Sequence, residues 1–142
     1  MKKGNIIIAL DGMSSKEALS IARILEGSVW GFKVGDLLYE DNTIIQKLKK
    51  FGNVFADVKL HDIPNTVANS VKKLSYAGAD MITVHASGGL EMMREAKKYR
   101  GKSKIIAVTV LTSQSDKNTK KNVLKFTSDA INAGMQGIVC SG

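Results

Sequence analysis

Apolar and polar positions along the chain follow two alternating periods. Short β-branched runs recur at 5–10 (NIIIAL), 29–34 (VWGFKV), 53–59 (NVFADVK), 81–86 (MITVHA), 104–110 (KIIAVTV) and 137–142 (GIVCSG). Each reads as a strand. The stretches between them carry apolar residues at helical spacing. Ala18, Ile21, Ala22 and Leu25 share one face, as do Ile44 and Leu48, and then Val67, Val71 and Leu74. A strand plus its helix takes roughly 25 residues, the size of a βα repeat.

Boundary residues support this parsing. Ser14 followed by Glu17 predicts a capping box at the first helix. Asp62 is placed to cap the third helix, and Pro64 falls in its first turn, where a missing N–H costs little. Gly27, Gly52, Gly78 and Gly134 stand where helices are expected to stop.

Apolar strands joined by helices imply a parallel sheet, either doubly wound or closed as a barrel. A doubly wound fold predicts a glycine-rich phosphate loop after the first strand. Here that strand ends ALDGMSSKE, without such a loop. Polar residues instead end nearly every strand: Asp11, Lys33, Asp57 with Lys59, His85, Thr112 with Ser113, and Ser141. Reactive groups ringed around strand ends are how a barrel builds its site. The expected class is therefore α/β, a TIM-type (β/α) barrel. A closed barrel needs eight strands and usually at least about 200 residues. With about six strands, residues 1–142 read as a single partial (β/α)8-barrel domain lacking the last two strands, a piece of a longer chain or a truncated product.

Composition narrows the setting. At 44% hydrophobic and 24% charged, with one proline, the chain is globular rather than disordered. Cys140 is the only cysteine, so no intrachain disulfide forms, and a reducing, cytoplasmic location is expected. The apolar run after MKKGN stops at Asp11, too short for a secretory signal, and no segment approaches a membrane span. The net charge of +8 raises nucleic acid as a partner. The lysines lie in helical patterns such as IIQKLKK and REAKKYRGKSK, and no aromatic-interleaved basic stripe of the kind that stacks bases appears, so a solvated surface is expected and no nucleic-acid partner.

The stretch DVKLHDIPNT (57–66) concentrates charge where a strand enters the core. Residues two apart on a strand share a face, so Asp57 and Lys59 are expected to point together into the barrel mouth, with Ala56, Val58 and Leu60 towards the helices. Lys33, on the neighbouring strand, is within reach of Asp57, and Asp62 lies just past the strand end. A structural ion-pair network is the bland alternative, and a helix cap is a sufficient local reason for Asp62. Four charges in a barrel mouth are a costly route to stability alone. The cluster reads as catalytic.

FADVKLHDIPNTV (55–67) resembles the signature of the orotidine 5'-phosphate decarboxylase family. Its D-x-K-x-x-D core is shared with a wider barrel superfamily that includes 3-keto-gulonate-6-phosphate decarboxylases and hexulose-phosphate synthases; HDIPNT points to the orotidylate branch. IIIALD, FKVG, ITVHASGG and AVTVLTS follow in family order, so the likeness runs along the whole chain. It implies decarboxylation of orotidine 5'-monophosphate to UMP, in pyrimidine biosynthesis. The family's charged tetrad falls on Lys33, Asp57, Lys59 and Asp62. By the same resemblance, Asp62 and Thr66 reach into the partner subunit's site in a homodimer, Asp11 and Lys33 hold ribose hydroxyls, and Ser113 bonds the pyrimidine. The family grips the 5'-phosphate with loops after strands seven and eight. If the 142 residues are the whole molecule, little or no turnover is expected.

The implied chemistry suits these residue types. Loss of CO2 from C6 leaves an in-plane carbanion with no conventional electron sink. Two histidines and one cysteine, scattered along the chain, suggest no metal site, and no cofactor signature is present, so no cofactor is expected. Stabilisation must then come from preorganised charge, with Lys59 supplying the ammonium and the C6 proton and its flanking carboxylates favouring its charged form. Asp57, set against the substrate carboxylate, would also destabilise the ground state. His61 is expected to fix its loop. His85 is expected either to line the site or to sit satisfied at the core edge, and Cys140 to be a small buried residue. Two other functions remain: a Mg2+-dependent sugar-phosphate decarboxylase or aldolase of the same superfamily, and a non-catalytic fragment or interaction module.

Overall fold

The computed structural model describes residues 5–111, 113 and 118–140. Among them six strands form one parallel sheet whose spatial order follows the chain: β1 (Ile7–Ala9), β2 (Gly31–Val34), β3 (Asn53–Leu60), β4 (Met81–His85), β5 (Lys104–Val108) and β6 (Gly137–Val139). The sheet curls into an incomplete TIM-type barrel, as expected. The connecting helices are α1 (Ser15–Ile24), α2 (Leu37–Glu40), α3 (Ile44–Leu48), α4 (Pro64–Ala77), α5 (Gly89–Lys98) and α6 (Thr119–Ala133), with a 3-10 turn at Ala86–Gly88.

Strand alternation sorts the two faces of the sheet. Phe32 and Val34, Val54 and Ala56, Ile82 and Val84, and Ile105 and Ala107 are fully buried on one face. They pack in a single cluster with Ala18 and Ala22 of α1, Ile44 and Leu48 of α3, Val67 and Val71 of α4, Met92 and Met93 of α5, and Ala130 of α6. Each large side chain buried in this layer contributes about 1.5–3 kcal/mol. The odd-numbered neighbours Lys33, Asp57, Thr83 and His85 consequently fall to the other, concave face. At Gly31 the backbone of β3 comes so close that a Cβ would stand 2.0 Å from the Asn53 carbonyl oxygen.

Several local expectations hold. The Ser14–Glu17 capping box is complete, Pro64 opens α4, and Gly78 and Gly134 end α4 and α6 in the left-handed conformation. Others change. The second helical stretch splits into α2 and α3 because the Asp41 carboxylate takes hydrogen bonds from both Thr43 N and Thr43 Oγ1, a local turn that competes with helix. The residue capping α4 is Ile63, without a side-chain cap; Asp62 instead accepts from the Ile63 N–H at 2.7 Å. Cys140 is exposed, not buried, since it follows β6, an edge strand whose Ile138 and Val139 are themselves exposed. Thr112 and Ser141 lie outside the described residues.

Candidate active site

The C-terminal ends of β1, β2 and β3 bring four charges into one chain of contacts. Lys33 Nζ lies 2.6 Å from Asp11 Oδ2 and 3.4 Å from Asp57 Oδ2, and Lys59 Nζ lies 2.9 Å from that same Asp57 oxygen. Charge alternates along the series Asp11, Lys33, Asp57, Lys59. It lines a cleft of about 490 Å³, together with Gly35, Asp36, Tyr39 and Val58. A depression of similar size on α4, at Asn69, Lys72, Lys73 and Tyr76, has lysines but no carboxylate to order them. Of these two, the cleft with the alternating charges is the better equipped for chemistry.

Exposure grades through the series. The Asp57 side chain is 14% exposed, Lys33 25% and Lys59 41%, so the anion is the innermost group and the Lys59 ammonium faces the mouth. Burial pushes the Asp57 carboxyl up, but the hydrogen bond and charge of Lys59, the Thr83 hydroxyl and the Lys33 charge outweigh it; the group titrates below its ordinary range. Burial likewise pulls Lys33 down, yet Asp11 and Asp57 together prevail and its pKa is raised. Asp57 and Lys33 therefore stay charged at neutral pH. An ammonium has three donors, and Lys59 places one on Asp57.

Simple strand parity does not account for this arrangement. Lys59 has φ +47°, the only positive value at a non-glycine residue among those described, and the pairing of β3 with β4 shifts between Ala56 and Leu60. A bulge of this kind re-aims a side chain and strengthens local twist. It also leaves Val58 and Leu60 only partly buried, where alternation had set them fully towards the helices. Thr83, read from the sequence only as a β-branched strand residue, is fully buried behind the bulge and bonds both sides of it. Asp36 was also missed: its Oδ2 accepts from Gly12 N at 2.8 Å and ties the β1 loop to the start of α2.

The remaining candidates lie apart from the series. Asp62 is exposed and makes no ion pair with the other charges among the described residues. Thr66 is exposed on the first turn of α4, and Ser113 is exposed beyond β5. His61, just past β3, and His85, the last residue of β4, come together: their rings stack with centroids 5.3 Å apart and planes 14° from parallel. Ser87 N donates to His85 Nδ1, and burial, then the His61 charge, hold His85 below the ordinary histidine pKa.

The family described as orotidine 5'-phosphate decarboxylase / HUMPS matches residues 4–142. The chain belongs to that family. A relative from Buchnera aphidicola subsp. Schizaphis graminum, named orotidine 5'-phosphate decarboxylase, is 40% identical over 96% of this chain and 65% of its own length. One of the same name from Streptococcus suis is 41% identical over 99% of this chain and 68% of its own. The chain thus spans about two thirds of the length of these relatives. Among solved structures, the orotidine 5'-phosphate decarboxylase from Lactobacillus acidophilus superposes with TM-score 0.84 at 33% identity, covering 98% of this chain and 72% of that one. An orotidine 5'-monophosphate decarboxylase from Methanocaldococcus jannaschii, complexed with inhibitor BMP, gives 0.82 at 28% identity over 97% of this chain and 67% of that one. No helix among the described residues of this family member is long and apolar enough to cross a membrane.

Proposed function

We propose that the chain binds orotidine 5'-monophosphate in the cleft at the ends of β1 to β3 and converts it to UMP. The observation that carries this reading is the series Asp11–Lys33–Asp57–Lys59, with its innermost carboxylate shared by two ammonium groups. In the proposed reaction the bond between C6 and the carboxylate carbon breaks. CO2 departs, the electron pair remains on C6, and a proton passes from the Lys59 ammonium to C6. Lys59 then regains a proton from solvent. The fixed ammonium stabilises the developing carbanion without reorganisation, the electrostatic route that often contributes most to a rate enhancement. Asp57, facing the substrate carboxylate, raises the ground state relative to the transition state.

Asp11 and Lys33 hold the ribose hydroxyls in this reading, and Ser113 the pyrimidine. Asp62 and Thr66 serve the partner subunit's site in a homodimer; their exposure, apart from the charges of their own chain, supports that role. The expected setting is the cytoplasm, and the chemistry needs neither metal nor organic cofactor.

The test is titration of the 142-residue chain with BMP, alongside measurement of CO2 release from orotidine 5'-monophosphate. Saturable binding weakened at least about tenfold by Lys59→Ala, and any turnover unaffected by a metal chelator, is expected. Equal BMP affinity with and without the Lys59 ammonium, or no binding by the unsubstituted chain, overturns the proposal. Turnover of a sugar phosphate that requires Mg2+ would assign the chain to the other branch of the family.

A further inference from the structure

The bulge that aims Lys59 has an unusual support. Between the paired positions Ala56↔Ile82 and Leu60↔Val84, β3 advances four residues while β4 advances two. The extra residues put the Lys59 N–H out of register with the β4 carbonyls. A backbone donor that loses its ladder partner in a part-buried strand needs another, because its desolvation otherwise goes uncompensated. Here the partner is a side chain: Lys59 N donates to Thr83 Oγ1 at 2.8 Å. The same hydroxyl donates onward to Asp57 Oδ1 at 3.0 Å. Thr83 is completely buried, so its hydroxyl has these two protein partners in place of water.

A threonine hydroxyl has one donor and two acceptor sites, and both of its functions are engaged in the Asp57–Lys59 unit. With Oδ1 of Asp57 held from the strand behind, the carboxylate cannot rotate freely. Its other oxygen, Oδ2, is then presented to Lys59 at 2.9 Å and Lys33 at 3.4 Å. The backbone of Lys59 sits at φ +47°, a conformation that a non-glycine residue keeps only when its surroundings hold it there.

We infer that Thr83 is a positioning residue for the charged series, its single hydroxyl fixing both the Asp57 carboxylate and the backbone turn that aims the Lys59 ammonium. The inference rests on the proposed decarboxylase reading for its consequence and on geometry alone for its existence. Valine has nearly the same shape without the hydroxyl, so Thr83→Val leaves the Lys59 N–H and Asp57 Oδ1 unpaired. Thr83→Ser keeps the hydroxyl and loses only a methyl.

The experiment follows Asp57 and Lys59 directly by NMR in the 142-residue chain, with and without BMP. In Thr83→Val the Asp57 carboxyl titration moves up, having lost the Thr83 hydrogen bond, and the Lys59 amide resonance shifts. BMP affinity falls about tenfold, the loss expected for one displaced charged contact. Thr83→Ser restores all three. An Asp57 midpoint unchanged in a folded Thr83→Val protein overturns the inference, as does failure of Thr83→Ser to restore it. Should Thr83→Val not fold, the unsubstituted chain still decides: the Thr83 side-chain resonances must follow the Asp57 titration, and a flat response overturns the inference. BMP binding with no Asp57 response fails Thr83 but not the decarboxylase reading; an Asp57 response without BMP binding does the reverse.

Discussion

Lys59 places its ammonium 2.9 Å from the carboxylate of Asp57, two residues earlier on the same strand, while its own backbone turns through φ +47°. The contact is therefore made across a bulge, with local conformational energy held at the residue that carries the charge. Such strain is characteristic of functional positions. It separates two effects that a single substitution would blend.

Lys59→Ala and Lys59→Gly both remove the ammonium, and both are expected to abolish decarboxylation, by at least about a hundredfold where turnover is measurable. Their stabilities differ. Glycine adopts the left-handed conformation without the Cβ clash that alanine suffers, so Lys59→Gly should exceed Lys59→Ala by about 1 kcal/mol. Urea midpoints of the two variants check this. An alanine variant as stable as the glycine one would mean that the backbone relaxes once the lysine is gone.

Asp57 gives the chain an acid-sensitive contribution. Its folded pKa lies below the unfolded value of about 3.9. The unfolded state accordingly takes up this proton first as pH falls. The stabilisation is complete above the unfolded value and is lost as pH drops through the folded one. Asp57→Asn removes that component. Denaturant midpoints measured from pH 6 to pH 2.5 should therefore fall less steeply for Asp57→Asn than for the unsubstituted chain, although Asp57→Asn starts lower because Lys33 loses a counter-charge in a partly buried site.

How far the site is legible in the sequence depends on whether its cause is local. The Ser14–Glu17 box and Pro64 act within one turn of chain, and both appear where the residue types place them. The meeting of Lys33 with Asp57 follows from adjacent strand ends and is equally readable. Thr83 is not readable, since in MITVH it is one β-branched residue among several and its partners are 24 and 26 positions away. The Lys59 bulge has no glycine to mark it, and alternation alone gives the right pair of residues for the wrong geometric reason. The stacking of His61 on His85 joins the ends of two neighbouring strands, 24 residues apart in the chain, and likewise leaves no local signal.

Gly31 tests the close approach of β2 and β3. Its φ is unexceptional, so the constraint is space: an added Cβ would meet backbone, the Asn53 carbonyl oxygen at 2.0 Å and its carbon at 2.6 Å. Backbone in a paired strand cannot swing aside as a flexible side chain can. Gly31→Ala is expected to cost about 1–3 kcal/mol or more through overpacking, and to disturb the strand that carries Lys33. Gly12→Ala, where nothing lies within 4 Å but φ is +73°, carries only the conformational penalty. Thermal unfolding of the two variants should rank Gly31→Ala as the more damaged; the opposite ranking would show that the strands separate readily.

The histidine stack adds a second pH dependence, at milder acidity. His85 accepts the Ser87 N–H at Nδ1 and lies against the His61 ring. Burial, and then the charge that His61 would carry, hold its folded pKa below the ordinary value near 6.5. Protonation at Nδ1 costs the Ser87 N–H bond but creates an N–H that can donate to Ser87 Oγ, so burial of the ring and the neighbouring His61 charge are what oppose it. As pH falls below about 6.5 the unfolded chain binds this proton first, so stability is present above that value and is lost as pH falls through the folded pKa. His85→Gln keeps a hydrogen-bonding side chain without the titration. Between pH 7.5 and pH 5 the unsubstituted chain should lose more stability than His85→Gln, as read from denaturant midpoints. Equal losses in the two proteins would leave the stack as packing alone.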